Sequence, residues 1–187
     1  MLIVKNDNTG VAAAIEELER TYNIKLPDVY RRFLLKYNGG ETLKTSVKES
    51  GKRTKEEIRC FYSINGEDNS FVQLSETGSL EEYLDRDLLP IAEDDYGNSF
   101  LLNLAKNSYG EVMFYDHEKQ KTKAFSKSFT EFVSNAKSEI FRVSSIEERV
   151  ARRLARGEEV TDELIEIWQE EIDSLKGIGE QEEVILD

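Results

Sequence analysis

The sequence contains one cysteine, one histidine, one tryptophan and two prolines in 187 residues. A single cysteine, Cys60, excludes an internal disulfide. Its place between Arg59 and Phe61 in a strand-like run reads as a buried, inert thiol. A single histidine leaves no second one to complete a metal shell. The chain has no Gly-Lys-Ser phosphate loop, no dinucleotide glycine fingerprint and no Gly-x-Ser-x-Gly elbow. No apolar run reaches the roughly 20 residues that span a bilayer. The stretch Met1–Asp7 lacks the basic and apolar regions of a signal peptide, so a cytoplasmic location is expected. Basic residues are scarce, 25 against 38 acidic, for a formal net charge of −13. That balance repels nucleic acid and anionic membranes and favours basic partners. Solubility alone would also account for it.

What is present suits one domain, or one domain with an appendage. A chain of this length buries roughly 70% of its unfolded surface and needs no staples. Its centre is the stretch from Leu88 to Glu118. Leu88–Ala92 is a short apolar run, Glu93–Asn98 a polar turn, and Phe100–Leu104 an apolar segment too short for a helix between such breakers. After a turn at Asn107–Gly110, Val112–Tyr115 is rich in β-branched and aromatic residues. The pattern predicts a β-meander.

Upstream, Val11, Ala14, Ile15 and Leu18 recur at helical spacing, with Asn8 or Thr9 as cap. Leu26-Pro27 opens a second helix with the stripe Tyr30, Phe33, Leu34 and Tyr37, and Asn38-Gly39-Gly40 stops it. Glu41–Glu57 is polar and reads as an extended edge or loop with one short strand near Leu43–Val47. Ile58–Ile64 reads as a strand and Asn65–Asp68 as a turn. Phe71, Val72 and Leu74 lead into another short element. Ser79 and Glu82 have capping-box spacing. Downstream, Lys123–Phe125 reads as a last strand, and Ser128–Ser138 as a helix with Phe129, Phe132 and Val133 inward. Ser145 with Glu148 forms a second capping-box pattern, for a helix through Arg156. Thr161 caps a final helix in which Leu164, Ile167, Trp168, Ile172 and Leu175 share a face. Gly177 and Gly179 end it, and Glu180–Asp187 is an acidic tail. This C-terminal piece cannot bury its Trp168 stripe unaided, so a homodimer through these helices is one expectation.

Two charged turns are the candidate contact sites: Glu93, Asp94, Asp95, Tyr96 and Asn98 after one strand, and Asp116, His117 and Glu118 after another. They lie at the ends of rigid strands, where binding residues concentrate. Glu93-Asp94-Asp95 has the oxygens for a divalent cation but lacks the spaced loop of a calcium site, so a solvated turn or protein contact is favoured. Asp116, His117 and Glu118 alternate in direction along a strand end and cannot all converge on a metal or a proton. Neither a catalytic constellation nor a cofactor or metal site is expected.

Four features in register carry a family resemblance. The first is Leu26-Pro27 with Tyr30, Phe33-Leu34 and Asn38-Gly39-Gly40. The second is Leu89-Pro90-Ile91-Ala92, and the third is Asp94 with Gly97-Asn98 and the apolar strand after it. The fourth is Gly110-Glu111-Val112 with Phe114 and Asp116-His117-Glu118. Together, across roughly Val11 to Ala136, they resemble the SUKH superfamily of fungal cell-wall assembly regulators and bacterial immunity proteins. The resemblance implies an α+β fold, a mostly antiparallel β-sheet with helices packed against it, over residues 1–140. Residues 144–187 are then a helical, acidic C-terminal extension. It further implies a non-enzymatic immunity protein that binds and occludes a cognate toxin domain, often a nuclease; a general adaptor of the same fold is the alternative. Nuclease toxins tend to be basic because they grip phosphate, so an acidic inhibitor gains attraction and steered association.

Overall fold

The computed structural model describes residues 1–139, 144–174 and 181–186. In chain order the elements begin with β1 (Leu2–Lys5), α1 (Val11–Thr21), α2 (Asp28–Tyr37), β2 (Gly40–Lys48) and β3 (Lys55–Phe61). Two short helices follow, α3 (Phe71–Glu76) and α4 (Ser79–Leu84), then the meander β4 (Leu88–Glu93), β5 (Ser99–Asn103), β6 (Val112–Asp116) and β7 (Lys121–Ser126). The chain continues with α5 (Phe129–Asn135), β8 (Ala136–Ser138), α6 (Ile146–Ala155), α7 (Asp162–Ser174) and β9 (Glu182–Glu183). The fold is α+β. Among the described residues the strands form one sheet in the order β7-β6-β5-β4-β3-β2-β1-β9, with β8 also paired to β2, and its ladders are antiparallel.

The chain divides into two compact units, Met1–Glu139 with Glu182–Asp187, and Ile140–Gln181. In the first unit, Val11, Ile15 and Leu18 of α1 are buried, as are Tyr30, Phe33, Leu34 and Tyr37 of α2, the positions their helical spacing predicts. Rings from helices and sheet meet in the core. Phe33 lies 5.0 Å from Phe61 and 5.2 Å from Phe129 between ring centroids, and Phe100 lies 5.0 Å from Phe132 and 5.3 Å from Phe125. Burying one such side chain stabilises the fold by about 1.5–3 kcal/mol. Asn38 ends α2 in the left-handed conformation, with φ 50°. Beyond that stop signal, Gly39 and Gly40 also permit close approach: a Cβ on Gly39 would collide with backbone carbonyls of Phe61 and Tyr62, and one on Gly40 with the Val4 carbonyl.

Several local expectations are revised. The segment read as an extended edge or loop with one short strand, Glu41–Glu57, forms most of a hairpin of two longer strands, β2 and β3. Its outward face is charged because it meets solvent, while Thr42, Thr45, Val47 and Ile58 turn inward, so composition masked the strand. Gly10, with φ 74°, takes the N-cap of α1 in place of Asn8 or Thr9. Gly78 takes that of α4, and Ser79 moves into the first turn. Ser128 caps α5 by accepting from Glu131 N–H at 3.1 Å, but the helix ends before Ala136. The next three residues pair with β2 instead, where Ser138 Oγ hydrogen-bonds Thr45 Oγ1 at 2.6 Å and accepts from Leu2 N–H at 2.8 Å. Backbone groups of residues 136–138 thereby gain sheet partners from distant chain segments, which outweighs continuing the helix.

β1 and β9 form on the far side of β2. The acidic run after Gln181 contains a strand, with Ile3 opposite Glu182, and Val184 is buried in the core. At the other side, Ser50 N–H donates to the Phe125 carbonyl at 2.9 Å, and Lys123 pairs with Glu49 at 3.1 Å and Glu56 at 3.2 Å. The tip of the β2–β3 hairpin thus reaches β7, covering part of what would be an open sheet edge.

In the second unit, α6 begins with the expected capping box, Ser145 with Glu148. Thr161 Oγ1 accepts from Leu164 N–H at 3.3 Å, the cap expected for α7. Arg149 makes a two-pronged ion pair with Glu171, at 2.7 and 3.3 Å, and lies 5.9 Å from the Trp168 ring centre. Ile167 remains 55% exposed. Leu175, Gly177, Gly179 and the ends of the acidic tail lie outside the described residues.

Candidate functional site

The turn between β4 and β5 is built around Asp94. This carboxylate is 4% exposed. It accepts from the backbone N–H groups of Tyr96 (2.8 Å) and Asn98 (2.9 Å) and from the Asn98 side-chain amide (2.7 Å). Asp94 N–H in turn donates to the Asn98 carbonyl at 3.1 Å. Its charge is consumed within the turn, a side-chain mimic of a backbone reversal. Gly97 closes the loop with φ 82°. The groups the loop presents are Asp95 and Tyr96, and Tyr96 is 69% exposed.

The turn between β6 and β7 is held by Asp116, which accepts from Lys119 N–H at 2.9 Å and from the Lys119 ammonium at 2.6 Å. Those hydrogen bonds hold its carboxyl below the usual carboxylate range. His117 and Glu118 are exposed. Pairing of β5 with β6, Ser99 opposite Tyr115, puts the two turns side by side at one end of the sheet. Asn98 stitches them together: its Oδ1 accepts from His117 N–H at 3.0 Å and lies 3.3 Å from His117 Nδ1. Gly97 packs against the His117 ring, which would lie 3.5 Å from a Cβ there. The eight candidate residues therefore occupy one region but divide by position. Asp94, Asn98 and Asp116 shape the turns, while Asp95, Tyr96, His117 and Glu118 face outward.

Glu93 faces a third strand. It pairs with Arg59 of β3 and accepts from the Tyr62 hydroxyl. Arg59 also lies 3.8 Å from Asp95, which links the loop to β3. From there a polar groove of about 730 Å³ opens along β2, β3 and β8, with Lys44, Lys55, Glu57 and Lys137 among its walls together with Arg59 and Asp95. A β-bulge shapes it: the β2–β3 register shifts between Glu41 and Thr45, Lys44 has φ 44°, and Thr42 Oγ1 bonds back to the Ile58 carbonyl at 2.5 Å. Sequence reading missed this groove because it depends on β8 joining β2. The alternation of Val47 with charged neighbours was the available signal.

The chemistry of the surface is that of charge and hydrogen bonding. Among the described residues no three histidine, cysteine, aspartate or glutamate side chains converge as a metal site. Burial pushes the Cys60 thiol up to about 11, so thiolate is scarce at neutral pH. Burial likewise raises the Tyr62 hydroxyl, which stays a donor to Glu93. No helix is long and apolar enough to cross a membrane among the described residues.

An antiparallel sheet with helices packed against it, carrying exposed polar residues on paired turns, defines a domain of the α+β class. The family model described as SMI1 / KNR4 family (SUKH-1) matches residues 12–135. The chain belongs to that family, whose superfamily includes toxin-immunity proteins. A search of curated proteins finds no match to the chain.

Proposed function

We propose that the protein is a non-enzymatic immunity protein that binds and occludes a toxin domain, with Asp95, Tyr96, His117 and Glu118 in the interface. The observation that supports this is the stitch between the turns through Asn98 and His117, which makes two separate loops one preorganised surface. An exposed tyrosine is the residue type that anchors interfaces, and the carboxylates beside it supply the charge that would steer a basic partner. The net charge of −13 matches a basic nuclease as partner and would speed encounter with it. A cytoplasmic location goes with this role. Self-association through the exposed Ile167 face of α7 is a separable part of the reading, and a monomer by light scattering would remove it.

The test is binding to the toxin domain encoded beside the gene, measured at low and moderate salt. Tight binding that weakens with salt and abolishes toxin activity is expected. Double charge reversal, Asp95→Lys with Glu118→Lys, should slow association by about tenfold or more. Binding that ignores both changes would move the interface elsewhere. Capture of several unrelated partners, with no dominant basic one, would favour the adaptor role.

A further inference from the structure

On α6 and at its C-cap, arginines stand at positions 149, 152, 153 and 156, a spacing that brings them to one side of the helix. In a chain of net charge −13 this is a local reversal of sign. The four arginines, with Ser144, Glu158 and Trp168, line a pocket of about 340 Å³ within the second unit. Their bonding differs. Arg149 is satisfied by Glu171, and Arg153 is paired with Glu158 at 3.3 Å. Among the described residues Arg152 bonds neutral oxygens alone, the Ser144 hydroxyl at 2.6 Å and the Glu148 carbonyl at 3.5 Å. Arg156 has no side-chain partner among the described residues. Among the described residues, two guanidinium groups one turn apart thus have no carboxylate partner and line the same concavity.

We propose that this pocket binds a small phosphate-bearing ligand, with Arg152 and Arg156 as the phosphate clamp and the Ser144 hydroxyl as a neutral donor beside it. Guanidinium forks match phosphate oxygens two at a time, which lysine cannot do, and every cation at the pocket is arginine. The volume falls at the lower end of small-molecule sites. An extended nucleic acid is disfavoured, because the acidic remainder of the chain repels a long polyanion, while a compact ligand meets four arginines and one carboxylate, Glu158, which is paired with Arg153. Trp168 supplies an aromatic wall, and Arg149 is stacked near it and held in place by Glu171. A ligand that carries a planar base would use both halves of the site.

Trp168 is the only tryptophan, so its fluorescence reports this pocket alone. The full chain is titrated with inorganic pyrophosphate and with ADP at about 0.15 M salt, where distant surface charge is screened, and adenosine serves as the phosphate-free control. A saturable change with pyrophosphate or ADP, and none with adenosine, is the expected result. Arg152→Gln with Arg156→Gln should weaken binding by about a hundredfold, tenfold for each charge-assisted hydrogen bond removed. Neither arginine has a carboxylate partner among the described residues, so circular dichroism of this variant should match the wild type. ADP binding tighter than pyrophosphate places the base against Trp168. Absence of a saturable response to both phosphate probes overturns the proposal, as does unchanged affinity in the folded double variant.

Discussion

Replacing Asp94 with alanine should destabilise the first unit while leaving the composition of its outer surface unchanged. Three donors lose their acceptor: Tyr96 N–H, Asn98 N–H and the Asn98 amide. A hydrogen bond to a charged group is worth about 1.5–3 kcal/mol. Tyr96 lies in an exposed turn, however, so water can reach its N–H once the turn loosens, and the contributions fall to about 1 kcal/mol each. The expected cost is therefore about 2–3 kcal/mol, a large part of the roughly 5–15 kcal/mol that holds a domain together. Asp94→Asn should cost about 1 kcal/mol, because its remaining oxygen still accepts both backbone donors and only the interaction with the Asn98 amide turns repulsive. Urea unfolding followed by far-ultraviolet circular dichroism gives both numbers from the midpoint at constant slope. Equal losses for the two variants, or an alanine loss below about 0.5 kcal/mol, would refute the view that Asp94 is the organiser of the turn. The same alanine variant should lower partner affinity through loop disorder even though Asp94 itself is buried.

Other consequences follow from the packing. Val184→Ala should cost about 1–2 kcal/mol in thermal or urea unfolding, since this late residue is buried in the core of the first unit. Gly40→Ala should cost more, because the new methyl collides with the Val4 carbonyl and the backbone there has φ 127°; a wild-type melting temperature would show that β1 can shift away. Burial alone would raise the Glu49 carboxyl, but hydrogen bonds from Lys52 and Lys123 outweigh it and hold the group below its ordinary value of 4.5. A lowered carboxylate stabilises the fold above that ordinary value and loses the contribution as pH falls through the lowered one. Stability measured from about pH 6 downward should therefore fall less steeply in Glu49→Gln than in the wild type.

Much of the fold was legible in the chain itself. The stripes of α1 and α2 match their buried faces because 3.6-residue periodicity is a local property of the helix. The same holds for the capping box of α6, and the meander was readable from apolar runs separated by turn residues. The expected contact turns also proved to be neighbours, although only the pairing of β5 with β6 brings them together. What stayed hidden depends on partners far along the chain. Ala136–Ser138 becomes a strand because β2 offers it hydrogen bonds, and Glu182–Glu183 does so because β1 does. Local propensity carries no record of either. Likewise the letters Asp94 and Asp95 are chemically alike, yet one is consumed inside the turn and the other faces water. Which way each points is set by the backbone path of the turn, not by residue type. The sequence by itself determined the helices, the meander, the acidic charge and the family pattern, since these rest on nearest neighbours and totals. Tertiary structure decided the two late strands, the groove beside the bulge and the division of the acidic residues into those that build the surface and those that present it, because each depends on contacts between residues distant in the chain.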